Sequence, residues 1–67
     1  MIKYQYAPCY EVNNIIHVLG YVTSVYTDAL AEARQMRQNE IDHYGKIVTD
    51  IFVAKRPVVE WEKVSNE

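Results

Sequence analysis

Polar and apolar side chains alternate from the start of the chain: Ile2, Tyr4 and Tyr6 fall on one side, Lys3 and Gln5 on the other. A period of two predicts a strand. Pro8 removes a backbone donor, so the strand ends, bulges or runs along an edge there. Asn13-Asn14 fits a tight turn, because asparagine tolerates positive φ. From Ile15 to Tyr26 the chain is rich in β-branched and aromatic residues around Gly20, which predicts a strand bent at that glycine. The competing reading is a short helix over Tyr10 to Leu19, with Val12, Ile15, Ile16 and Leu19 on one face. β-propensity favours the strand.

The period then lengthens. Ala29, Leu30, Ala33, Met36, Arg37, Ile41 and Tyr44 fall near one face at helical spacing, with Glu32, Gln35, Gln38, Asn39 and Asp42 opposite. Thr27 or Asp28 supplies the N-terminal cap, and Gly45 stands where a left-handed stop is wanted. Beyond Gly45 the period returns to two: Ile47, Thr49, Ile51 and Val53 share one face, Val48, Asp50, Phe52 and Ala54 the other. Lys55-Arg56-Pro57 interrupts the run, and Val58 to Val64 resumes it with Val59 and Trp61 aligned. The expected order is β-β-α-β-β. It is an α+β fold with one helix on one face of an antiparallel sheet of about four strands, in a single domain over residues 1–67. One helix covers one face of such a sheet, so the other face must be solvated, dimerised or bound.

Composition narrows the function. The net charge of −2 at pH 7 and the pI of 5.6 lack the basic excess of a dedicated nucleic-acid binder, and are too mild for DNA mimicry. The single cysteine, Cys9, excludes an internal disulfide and suits a reducing compartment. No apolar run approaches the ~18 residues of a membrane span and the N-terminus carries no signal pattern, so the cytoplasm is expected.

The residues that could carry chemistry are sparse. Cys9, His17 and His43 lack the paired short spacing of zinc ligands, so no metal or cofactor is expected. No signature of a cysteine hydrolase surrounds Cys9, and Glu60 and Glu62 read as charges on a solvated strand rather than a glycosidase pair. An enzyme is not expected. Six tyrosines and Trp61 are more aromatic surface than so small a core needs, and such side chains concentrate in contact patches. Arg34, Arg37, Lys46, Lys55 and Arg56 offer a basic strip, and Asp28, Glu32, Glu40, Asp42, Asp50, Glu60 and Glu62 an acidic set. The first could touch single-stranded nucleic acid, and the second could oppose a basic groove.

From Gly20 onward the layout becomes familiar. The segment from Gly20 to Thr27 (GYVTSVYT) runs straight into Asp28-Ala-Leu-Ala-Glu-Ala33. After the Gly45 stop, Lys46-Ile-Val-Thr-Asp-Ile-Phe-Val53 leads to Arg56-Pro57. This resembles the strand–helix–strand layout of small single-helix phage-encoded host-takeover proteins, among them RNA polymerase inhibitors and anti-CRISPR proteins. The resemblance covers about two-thirds of the chain as a pattern, and no residue role is carried over from it. It implies a non-enzymatic inhibitor that docks on a bacterial host protein or a defence ribonucleoprotein complex. Tyr4, Tyr6 and Tyr10 on the free sheet face, Trp61 on the last strand and Arg34 and Arg37 on the helix are the expected contact residues. A nucleic-acid-contacting accessory protein and a homodimer using the free sheet face are the alternatives.

Overall fold

The computed structural model describes residues 2–59 and 61. It is α+β, in the order β1 (Lys3–Val12), β2 (Ile15–Val18), α1 (Tyr26–Tyr44) and β3 (Phe52–Val58). The three strands form an antiparallel sheet in the order β2-β1-β3, with α1 on one face. The sheet therefore has three strands where about four were expected, and the order is β-β-α-β.

The first hairpin forms as its turn residues predict. Asn13 and Asn14 both take positive φ, 52° and 64°, the pair of left-handed residues a two-residue hairpin turn needs. They set Val12 opposite Ile15 and Tyr10 opposite His17. The short helix considered for Tyr10 to Leu19 does not form.

Pro8 corrects the reading of the first strand. The strand runs straight through it, and Pro8 sits on the central strand, opposite Val53 of β3. The reason lies on the other side. Tyr6 exchanges both backbone hydrogen bonds with Thr23 (2.7 and 2.9 Å), and Leu19 donates to Pro8 O (2.9 Å), so the Pro8 nitrogen faces the Leu19–Thr23 segment. There the neighbouring chain leaves the sheet between β2 and Thr23, so no ladder bond is lost to the missing N–H. Gly20 makes this departure. A Cβ at Gly20 would stand 2.7 Å from Pro8 Cγ and closer still to the Glu32 carboxylate, which accepts a hydrogen bond from the Tyr21 N–H (3.0 Å). The bend expected at Gly20 is present, although regular pairing ends at Val18.

α1 ends as expected, with Gly45 at φ 77° donating to Ile41 O (2.8 Å). Its start differs. The N-cap is Val25, neither Thr27 nor Asp28, and no side chain caps it. The Val25 N–H donates instead to Thr23 Oγ1 (3.1 Å). Ala29 and Ala33 are fully buried, so two small side chains set the close approach of helix to sheet. Leu30 and Met36 are half-buried, whereas Ile41 and Tyr44 are exposed where the last turns carry little cover.

The strand expected from Lys46 starts only at Phe52, because helix side chains take the backbone groups that precede it. Arg37 donates from Nε (3.0 Å) and Nη2 to Ile51 O, and Glu40 Oε1 accepts from the Thr49 N–H (3.3 Å). The Lys55-Arg56-Pro57 break lies inside β3. β3 is an edge strand and Pro57 opposes Tyr4, whose N–H points away from β3, so the Pro57 nitrogen faces outward and costs no ladder bond. Of the fourth strand expected over Val58–Val64, Val58 closes β3. Val59 and Trp61 are in no strand, and residues 60 and 62–64 lie outside the described residues.

Candidate functional site

Directly opposed residues of an antiparallel pair share a face, which fixes the two sides of the sheet. The helix side carries Tyr4, Tyr6, Pro8, Tyr10 and Val12 of β1 with Val53, Lys55 and Pro57 of β3 and Ile15 and His17 of β2. Tyr6 meets Tyr26 of α1 edge-on at 5.6 Å between ring centres, which assigns that side to the helix. The open side carries Gln5, Ala7, Cys9 and Glu11 with Phe52, Ala54 and Arg56, and Ile16 and Val18.

This corrects the placement of three expected contact residues. Tyr4, Tyr6 and Tyr10 are half-buried on the helix side, not on the free face. Tyr4 holds the Lys55 ammonium over its ring (4.4 Å), and Tyr10 stacks on His17 (5.1 Å). Six residues separate Tyr4 from Tyr10, about 20 Å along a strand, so the three tyrosines form no single patch. Arg37 straps Ile51 to the helix. Arg34 is exposed on the helix and Trp61 is fully exposed beyond β3. The basic strip does not assemble: Lys55 and Arg56 point to opposite faces, the latter donating to Gln5 Oε1 (3.0 Å).

The candidate nucleophile is likewise unsupported by its surroundings. Cys9 opposes Val18 and His17 opposes Tyr10, so thiol and imidazole lie on opposite faces of the sheet. Cys9 is 2% exposed and donates weakly to Ala7 O (3.4 Å); burial pushes its thiol up, with the Ala54 backbone hydrogen bond pulling the other way. His43 packs edge-on against Tyr44 at the end of the helix. Among the described residues, no cluster of three or more His, Cys, Asp or Glu is placed to hold a metal ion.

The arrangement offers surfaces. The core is thin: the buried apolar residues are Ala7, Pro8, Cys9, Ala29, Ala33 and Ile51, so Ile51 is its one large aliphatic member among the described residues. Large apolar side chains instead stand outside, and two concave regions collect several of them. On the open face a trough of about 290 Å³ is lined by Ala7, Cys9, Ile16, Val18, Val22 and Ala54, with Gln5 and Arg56 at one end. The second is a recess of about 510 Å³ where β1 runs on past the start of β3. Tyr10 and Val12 from the helix side, Glu11 and Phe52 from the open side, and Val48, Thr49 and Asp50 of the connection line it, so it lies along the edge of β1 that β3 leaves unpaired and reaches both faces. Ile15, Ile41, Tyr44 and Ile47 add exposed apolar surface on the hairpin and around the end of α1. Sequence reasoning missed this recess, because it arises where two strands of unequal reach fail to pair.

No protein-family model matches the chain, and the searches of curated proteins and of solved structures find none similar to it. Among the described residues no helix is long and apolar enough to cross a membrane.

Proposed function

We propose that the chain is a non-enzymatic protein-binding domain that acts by covering a surface of a larger bacterial assembly, in the manner of phage-encoded inhibitors of RNA polymerase or of CRISPR defence complexes. One observation carries the binding half of this reading: Val12, Ile15, Ile41, Tyr44, Ile47 and Val48 are all exposed, while Ile51 is the one large aliphatic side chain buried among the described residues. Val12 and Val48 line one recess together, and apolar side chains gathered at a concave surface mark a contact site. The inhibitor half rests on the resemblance of layout from Gly20 onward.

The recess beside the end of β1 is the contact site that the geometry favours. Its apolar walls and its two carboxylates, Glu11 and Asp50, suit a segment of the target that presents apolar and basic side chains together. The scattering of Arg34, Arg37, Lys55 and Arg56 over different faces favours a protein over a nucleic acid as the partner. Tagged protein retained on a resin in bacterial lysate tests the proposal. A stoichiometric host assembly should survive a salt wash with the native chain and be lost with Val48→Glu, a substitution at an exposed position that leaves the fold intact. No retained assembly, or retention unchanged by Val48→Glu, would remove the proposed site.

A further inference from the structure

The open sheet face carries charge of opposite sign at its two ends. Arg56, held by Gln5, stands with Lys3 at one end, and Glu11 stands at the other. Between them the trough is apolar: Ile16, Val18 and Val22 are 52%, 53% and 43% exposed around the buried Ala7 and Cys9. A surface that is basic at one end, apolar in the middle and acidic at the other is complementary to itself turned end for end.

We propose that a second copy of this chain covers this face, sheet against sheet, about a two-fold axis that lies in the interface perpendicular to the strands. Residue i of one copy then meets residue j of the other, as a closed dimer requires. That axis sets Arg56 of each copy over the Glu11 end of its partner. An axis along the strands would set Glu11 against Glu11 and Arg56 against Arg56, so the charge pattern selects one arrangement. Gln5 and Glu11 are about 20 Å apart along β1, and the axis falls midway between them, at Pro8. Each trough is then closed by the other, giving helix, sheet, sheet, helix, with Ile16, Val18 and Val22 filling a layer about 10 Å thick.

The three strands hold ten, four and seven residues, so the pair hides roughly 700 Å² of paired sheet, the size of a weak, reversible contact. Pairing edge to edge offers less. The outer edge of β3 is guarded by Lys55, Arg56 and Pro57, and β2 is four residues long. The inference does not rest on the inhibitor reading, and the two compete for Glu11: a dimer of this kind leaves the helix-side wall of the recess, Tyr10 and Val12, to another partner.

Sedimentation equilibrium of the full chain across micromolar concentrations tests it, with circular dichroism to confirm the fold of each variant. The native chain should show a monomer–dimer equilibrium. Glu11→Lys and Arg56→Glu, both at exposed positions, should each weaken it about tenfold or more, since every substitution acts twice in a symmetric pair. The double variant should recover affinity over either single one. A monomer at every concentration would overturn the proposal, as would a dimer indifferent to both single reversals, which would place the contact at a strand edge.

Discussion

Single residues decide where this small sheet opens and closes. Pro8, Gly20 and Glu32 form one joint: the proline omits a donor where the neighbouring chain departs, the glycine leaves room for its ring, and the carboxylate takes the Tyr21 N–H. Arg37 has a comparable role at the other end, where its guanidinium satisfies Ile51 O beneath a half-buried side chain. Replacing it with Met keeps the apolar stem and removes the donors, so Arg37→Met should cost about 1.5–3 kcal/mol in a urea titration, as loss of a charge-assisted bond does. Cys9 makes a pH prediction. Burial holds its thiol above the ordinary range, so the folded state keeps the proton more tightly than the unfolded one. Its contribution is complete below the ordinary thiol range and is lost as pH rises through it. The native chain should therefore lose stability into alkaline conditions more steeply than Cys9→Ala, compared by thermal melts at a series of pH values. At this scale the sequence is legible where conformation is local. Asn13, Asn14 and Gly45 take the positive φ that their chemistry invites. Pro8 was misread because its tolerance depends on a neighbouring chain eleven or more residues away.

The elements divide in the same manner. The body of α1 and its glycine stop are legible, since an amphipathic period and a left-handed glycine need no partner to be recognised, whereas Ile41 and Tyr44 turn out exposed. Its capping is less legible: the helix starts at Tyr26 because Thr23 pairs with Tyr6 and positions Val25, a tertiary cause. The uncapped start leaves stability to be gained. Val25→Asp supplies a side-chain acceptor and a negative charge at the positive end of the helix dipole, and should add about 1 kcal/mol to the unfolding free energy measured by denaturant titration. The expected third strand came out short because Arg37 and Glu40 tie the Thr49–Ile51 backbone to the helix. Alternation in Ile47 to Ile51 shows only that one face suits burial, and it does not reserve those backbone groups for a strand.

At the scale of the whole molecule, one sheet and one helix leave much apolar surface uncovered, and that follows from counting layers in the sequence. Which side would be covered did not, because alternation along β1 gives two faces without saying which one the helix takes. The tyrosines of β1 went to the helix side, where Tyr6 meets Tyr26, and the open side received Ala7, Cys9, Ile16 and Val18. The six residues expected to form one contact surface are accordingly dispersed over the helix side, the helix and the segment beyond β3. The recess formed by unequal strands takes their place as the candidate contact, with Tyr10 the one member they share.

On the proposed reading, this recess is the surface a protein partner covers. Amide hydrogen exchange of the chain, alone and with the assembly captured from lysate, tests it most directly. Protection should rise at residues 10–12 and 47–52, with little change along the outer edge of β3. Protection confined to β3 or to the outer face of α1, with residues 10–12 and 47–52 exchanging as they do in the free chain, would contradict it.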